Sequence, residues 1–131
     1  MAKTKKTSPT KRSLDLVRGR GMVAQIVEHW NAFARVRQDL FGVIDVVVLD
    51  VANGRTIGVQ TTSGPNVASR IQKIYDTPTA RAWVQAGNRL VVHGWAQRGA
   101  RGKRKLWTCR EVEIVLDGEA MIAREIETPV A

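Results

Sequence analysis

The residues with chemical potential are polar groups stranded in apolar runs. Asp45 lies inside Val43-Ile44-Asp45-Val46-Val47-Val48, and Gln60 lies inside Ile57-Gly58-Val59-Gln60-Thr61-Thr62. A carboxylate in a segment built for burial costs several kcal/mol, on the order of a lost buried ion pair, unless a cation or a metal meets it. For Asp45 that leaves two readings: a metal ligand, or a strand-end carboxylate paired with Arg37 or Arg89. Between the two runs stands Asn53-Gly54, the strongest short-range hairpin signal. A two-residue turn there pairs the runs antiparallel, with Asp45 opposite Thr62 and Gln60 opposite Val47. Alternation then puts Asp45, Gln60 and Thr62 on one face of the hairpin. Glu28 precedes this hairpin and is placed to reach the same spot. Asp39 is either a substitute for Glu28 or a plain loop carboxylate.

The elements that must hold these groups follow from periodicity. Val23, Ile26, Val27, Trp30 and Ala34 recur at steps of three and four, which predicts a helix over 21–34 carrying Glu28 beside its apolar stripe. Residues 33–41 read as a short strand or extended connection. The β-branched run Val43–Val51 predicts a strand buried on both faces, and 56–62 is its returning partner. Ser63 to Asn66 breaks the strand, and Val67 to Tyr75 reads as a helix with Val67, Ile71 and Ile74 inward. A further helical turn or two spans 80–86 and stops at Gly87-Asn88. Strands are predicted over 89–96 and 105–116, with a Gly- and Arg-rich loop over 97–104. Asp117-Gly118 turns the chain, and 119–126 reads as a short helix.

The chain has 131 residues, 44% hydrophobic and 25% charged, which is the composition of one globular domain and excludes wholesale disorder. Its net charge of +9 is uneven. Residues 1–20 hold seven basic and one acidic side chain, residues 21–110 thirteen and five, and residues 111–131 one and six. A basic body with an acidic tail points to a polyanion, of which nucleic acid is the commonest. Arg98, Arg101, Lys103, Arg104 and Lys105 surround Gly99 and Gly102 with no acid among them, a pattern suited to phosphate contact. Residues 1–20 read as a flexible basic arm and 21–131 as the folded domain. No apolar run approaches the length of a membrane span, and the basic amino terminus lacks the apolar segment of a signal peptide. The single Cys109 allows no internal disulfide and no cysteine-rich zinc site, which points to a reducing, cytoplasmic setting. His29 and His93 lack zinc-like spacing, and His93 reads as a bonded strand histidine. Trp30 and Trp83 are expected in the core. Trp95 and Trp107 flank the basic loop and either pack across the strands or stack on bases. No phosphate-cradling GxxxxGK[ST] segment occurs, which argues against ATP-driven chemistry.

The order helix, strand, hairpin, helix, strand, with Asp45 in Phe41-Gly42-Val43-Ile44-Asp45 and the triplet Gln60-Thr61-Thr62, resembles the PD-(D/E)xK nuclease superfamily over residues 21–116. The likeness is greatest to its branch of archaeal Holliday-junction resolvases and phage-encoded relatives. The resemblance implies a restriction-endonuclease-like core, an α/β fold with a central mixed sheet flanked by helices. It implies Mg²⁺- or Mn²⁺-assisted hydrolysis of phosphodiester bonds in DNA, including branched DNA, by a homodimer. Asp45 would be the central metal ligand, Glu28 and Gln60 supporting ligands, and the carbonyl of Thr61 a fourth. Two positions depart from the family pattern. Gln60 stands where the family has an acid, which weakens attraction for a hard cation. Thr62 stands where it has a lysine. In some members the lysine has moved to the following helix, where Lys73 is the candidate and Arg70 lies one turn earlier. The catalytic set implied is thus Asp45, Gln60, Thr62 and Lys73. The competing expectation is a protein that keeps this fold and binds nucleic acid without cutting it.

Overall fold

In a computed structural model the described residues are 7–99, 102 and 104–127. Ser8 caps the first helix, α1 (Pro9–Gly19), by accepting the Lys11 amide hydrogen, and Pro9 opens it. Gly21, at φ +86°, releases the chain after it. Thr10, Ser13, Leu14 and Val17 form the buried face of α1. This corrects the expected flexible arm over 9–19, which is a docked helix because Leu14 and Val17 fall three apart on a single face, while residues 1–6 lie outside the described residues.

Strand β1 (Val23–Ile26) follows, then a small hairpin of β2 (His29–Asn31) and β3 (Val36–Gln38). The helix expected over 21–34 does not form. The β-branched run Val46–Leu49 needs a partner for its backbone, and Val23–Ile26 supplies it in antiparallel register. Asn31 then turns the chain, its Oδ1 accepting from the amides of Phe33 and Ala34, and Arg35 sits at φ +53°. Trp30, expected in the core, is 60% exposed on this hairpin.

Strands β4 (Val46–Asp50) and β5 (Arg55–Ser63) form the central hairpin. Their register is Val46 to Val59 and Asp50 to Arg55, two residues away from the expected pairing. The turn is wider than Asn-Gly alone: Val51–Asn53 makes a 3₁₀ turn, with only Gly54 at positive φ. Asp50 closes it by accepting from the side chains of Asn53 and Arg55. A shift of two keeps the parity of the faces.

Helices α2 (Val67–Tyr75) and α3 (Pro78–Gln85) cross over to β6 (Arg89–Arg98), which lies parallel to β5. β7 (Leu106–Asp117) and β8 (Ala120–Ile126) complete the sheet antiparallel. The helix expected over 119–126 is instead β8, because Gly118-Glu119 makes a hairpin turn, with Gly118 at positive φ and Asp117 paired to Ala120, that returns the chain along β7. The protein is α/β with one six-stranded mixed sheet in the order β1-β4-β5-β6-β7-β8, flanked by helices. On one face α1 packs Leu14 and Val17 on Val46, Val48 and Val59. On the other, Val67, Ile74 and Ala80 of α2 and α3 pack on Leu90, Val92, Val112 and Ile114. Each fully buried Val, Leu or Ile contributes about 1.5–3 kcal/mol. No helix among the described residues is long and apolar enough to cross a membrane.

Candidate functional site

The site lies where β4 begins and β5 ends, which the antiparallel pairing brings to one end of the sheet. Asp45 stands one residue before β4. Its backbone amide reaches Val59, but its side chain continues the ladder where β4 has stopped. Asp45 Oδ2 accepts from the Thr61 amide at 2.7 Å, the Thr61 hydroxyl at 3.0 Å and Gln60 Nε2 at 3.0 Å. Thr61 Oγ1 also lies 2.9 Å from Thr10 Oγ1, which ties α1 to the site.

Two more carboxylates approach Asp45. Glu28, in the connection between β1 and β2, and Asp39, just after β3, each offer an oxygen, and one ligand atom from each of the three residues falls within 4.8 Å of the others. Glu28 also receives Arg37 at 3.2 Å. Asp45 is buried, and its carboxyl is pushed up to about 8, first by loss of water and then by Asp39 beside it, against the opposing bonds from Thr61. Crowding of this kind is relieved by a proton or by a cation.

Glu28, Asp39, Asp45, Gln60, Thr61 and Thr62 all line one cavity of about 620 Å³, together with Arg37, Arg70, Lys73 and the first residues of α1. The implied Glu28–Asp45–Gln60 set is therefore together, although Glu28 arrives on a connection rather than on a helix. Thr61 spends its amide and hydroxyl on Asp45. Lys73, on α2, faces the same cavity as Thr62. Asp39 joins the cluster because the β2–β3 hairpin folds the chain back on Glu28. The Asx turn at Asn31 is the sequence signal for that hairpin.

Gln60 adjoins this cluster through its Nε2 bond to Asp45. It is 1% exposed, and its Oε1 has no hydrogen-bond partner. A buried amide oxygen left bare costs about 1–3 kcal/mol. Three carboxylates and an unpartnered amide oxygen are the hard donors that suit Mg²⁺ or Mn²⁺. These residues fit such a cation.

On the α1 side of the sheet a second polar network does structural work. Ser13 Oγ meets His93 Nδ1 at 2.8 Å and the Trp95 indole N–H at 2.9 Å. Glu111 receives both Nη groups of Arg20 at 2.8 Å and lies 3.2 Å from His93 Nε2. Burial pulls the Glu111 carboxyl up, but Arg20 and His93 prevail and bring it down to about 2. His93 is thus a bonded strand residue, as read from its sequence context. Burial pushes the Cys109 thiol up to about 12, so no ready thiolate exists there.

Arg98, Arg104 and Lys105 bracket the β6–β7 connection, which leaves the sheet at the same end as the site; Arg101 and Lys103 lie outside the described residues. Trp107 is half exposed, with the Arg12 guanidinium 3.5 Å from its ring centre. Comparison of the chain with protein-family models, curated proteins and solved structures returns no match.

Proposed function

We propose that the protein is a metal-dependent nuclease that hydrolyses phosphodiester bonds in DNA. The observation that carries this reading is the convergence of Glu28, Asp39 and Asp45 on one point, with the buried Gln60 bonded to Asp45 beside them. The order of elements supports it. A helix, three antiparallel strands (β1, β4, β5), a helical crossover and a parallel strand β6 come in the order of the PD-(D/E)xK core, with the β2–β3 hairpin inserted after β1 and with α1 in place of the helix expected over 21–34. Asp45 stands at the head of the second of these strands and Gln60-Thr61-Thr62 at the end of the third, which supports matching them to that family's motif, while Glu28 comes from a connection where the family has a helix.

Asp45, Glu28, Asp39 and Gln60 would hold Mg²⁺ or Mn²⁺. Bound there, the cation supplies the charge that polarises a phosphate and lowers the pKa of the attacking water. Thr61 aims Asp45 through two bonds to Oδ2. Arg37, Arg70 and Lys73 line the same cavity and offer positive charge to a phosphodiester backbone. Lys73 takes the role of the lysine that Thr62 replaces, stabilising charge that develops on the phosphate. Arg98, Arg104 and Lys105 extend the basic surface along the flanking hairpin.

The neutral Gln60 and Thr62 favour a second reading, a nucleic-acid-binding protein on the same fold that has lost cleavage. Incubation of linear, flapped and four-way DNA with Mg²⁺ or Mn²⁺ separates the two. The nuclease reading requires cleavage that disappears in Asp45→Ala; binding without cleavage under any of these conditions selects the silent protein.

A further inference from the structure

Phe41 is a bulky side chain in a backbone conformation that suits glycine. Its φ is +54°, and Gly42 follows at +79°. A phenylalanine in the left-handed region is strained, and Gly or Asn would relieve it. Burial does not repay the strain, because Phe41 is 52% exposed. The conformation is nonetheless held: Thr79 Oγ1 donates to the Phe41 carbonyl at 2.7 Å, and the ring rests at a tilt on Trp83, with centroids 6.1 Å apart. Backbone strain held in place by its surroundings collects at functional positions.

Phe41 lines a second cavity, of about 610 Å³, between the root of the β2–β3 hairpin and α2. This volume is that of a small-ligand site. Arg37, Asp39 and Lys73 line both this cavity and the one holding the acid cluster, so the two are neighbours across a shared wall. The second cavity is lined by Val27, His29, Leu40 and Phe41, by the polar Gln38 and Asp39, and by Lys73 and Arg37 as its cations. An open, largely apolar pocket that carries Phe41 and two cations and adjoins the acid cluster suits a nucleobase attached to a backbone that the cations hold.

We infer that this cavity seats an unpaired nucleobase against Phe41, next to the phosphate at the acid cluster. A base inside a duplex has both faces covered and cannot present one to a protein wall, so the seat selects DNA with unpaired nucleotides at the reacting phosphate. The inference rests on the nucleic-acid reading of the neighbouring site. It assigns Phe41 to substrate selection rather than to chemistry.

The test measures binding in EDTA, where cleavage plays no part. Fluorescent single-stranded and blunt duplex oligonucleotides of equal length are titrated with the parent protein, Phe41→Gly and Phe41→Trp. Glycine accepts the positive φ without strain, and circular dichroism with a thermal melt verifies that each variant is folded. Phe41→Gly is expected to lose about tenfold in single-strand affinity while duplex affinity changes less than about twofold, and Phe41→Trp is expected to keep single-strand binding. Equal losses on both oligonucleotides, or no loss with Phe41→Gly, overturns the base seat. Failure of the nuclease reading looks different: the Phe41 effect persists in EDTA while Mg²⁺ or Mn²⁺ produces no cleavage. Absence of binding to either oligonucleotide overturns the base seat, and the nuclease reading is then decided by the cleavage assay with Mg²⁺ or Mn²⁺.

Discussion

Asp45 Oδ2 accepts the Thr61 amide hydrogen at 2.7 Å and the Thr61 hydroxyl at 3.0 Å. A side chain thereby completes the β5 ladder beyond the first residue of β4, and the same oxygen is fixed within the acid cluster. Thr61→Val keeps the shape and removes the hydroxyl. The variant should lose about 1–3 kcal/mol, since Thr10 Oγ1 is also left without its buried partner. Urea denaturation measures this as a lower midpoint with an unchanged slope. A midpoint equal to the parent's would mean that the Asp45–Thr61–Thr10 chain is not formed.

Helix α1 belongs to the folded core. Leu14 is 5% exposed and packs with Val17 on the β4–β5 face. Leu14→Ala should cost about 2–5 kcal/mol, read from thermal or urea unfolding. A change under about 0.5 kcal/mol is what a surface position in a loose arm would show.

Sequence reading reached some of these elements and missed others for identifiable reasons. Val67–Tyr75 forms the expected helix because its inward residues and its breaker at Ser63–Asn66 agree. The joining of Asp45 to Gln60 survived a register error because the true pairing differs by two residues, an even step. The β1 segment differs from the helix its sequence predicts because Val23, Ile26, Val27 and Trp30 imitate a helical stripe. Val23 and Trp30 are in fact exposed, and what decides the strand is the hydrogen-bond demand of Val46–Leu49, a tertiary effect. For Asp39 the sequence leaves a substitute for Glu28 and a plain loop carboxylate both open, because only the β2–β3 fold-back brings it to Glu28, where it joins the cluster rather than replacing Glu28. Gln60 stood out from its run, but its bare Oε1 is a property of packing and has no sequence signature.

Glu111 should shape stability in acid. Arg20 and His93 hold its carboxyl at about 2, below the ordinary 4.5. A depressed carboxyl binds its proton more readily in the unfolded chain. Its contribution is therefore full above about 4.5 and is lost as pH falls toward about 2. Thermal midpoints should drop across that window, and Glu111→Gln, less stable near neutrality, should show a flatter acid limb. Parallel curves for the two proteins would remove Glu111 from the acid transition.

Lys73 tests the replacement of the family's lysine. It lines the cavity that holds Asp45 and Thr62. Lys73→Ala should slow DNA cleavage by about 10²-fold or more, with little change in DNA affinity, the mark of a group that stabilises developing charge. Cleavage at the parent's rate in this variant would place the stabilising cation elsewhere, with Arg70 and Arg37 the next to replace.

The acid cluster as a divalent-cation site is tested most directly by titrating Mn²⁺ into the metal-free protein and into Asp45→Asn by calorimetry. The asparagine Oδ1 can accept the bonds from Gln60 and Thr61, so the variant should fold while the cluster loses its central charge. The parent should bind Mn²⁺ at one site per chain and be stabilised by it in a thermal melt, and Asp45→Asn should do neither. Equal Mn²⁺ affinity in the two proteins would contradict a metal centre at Asp45.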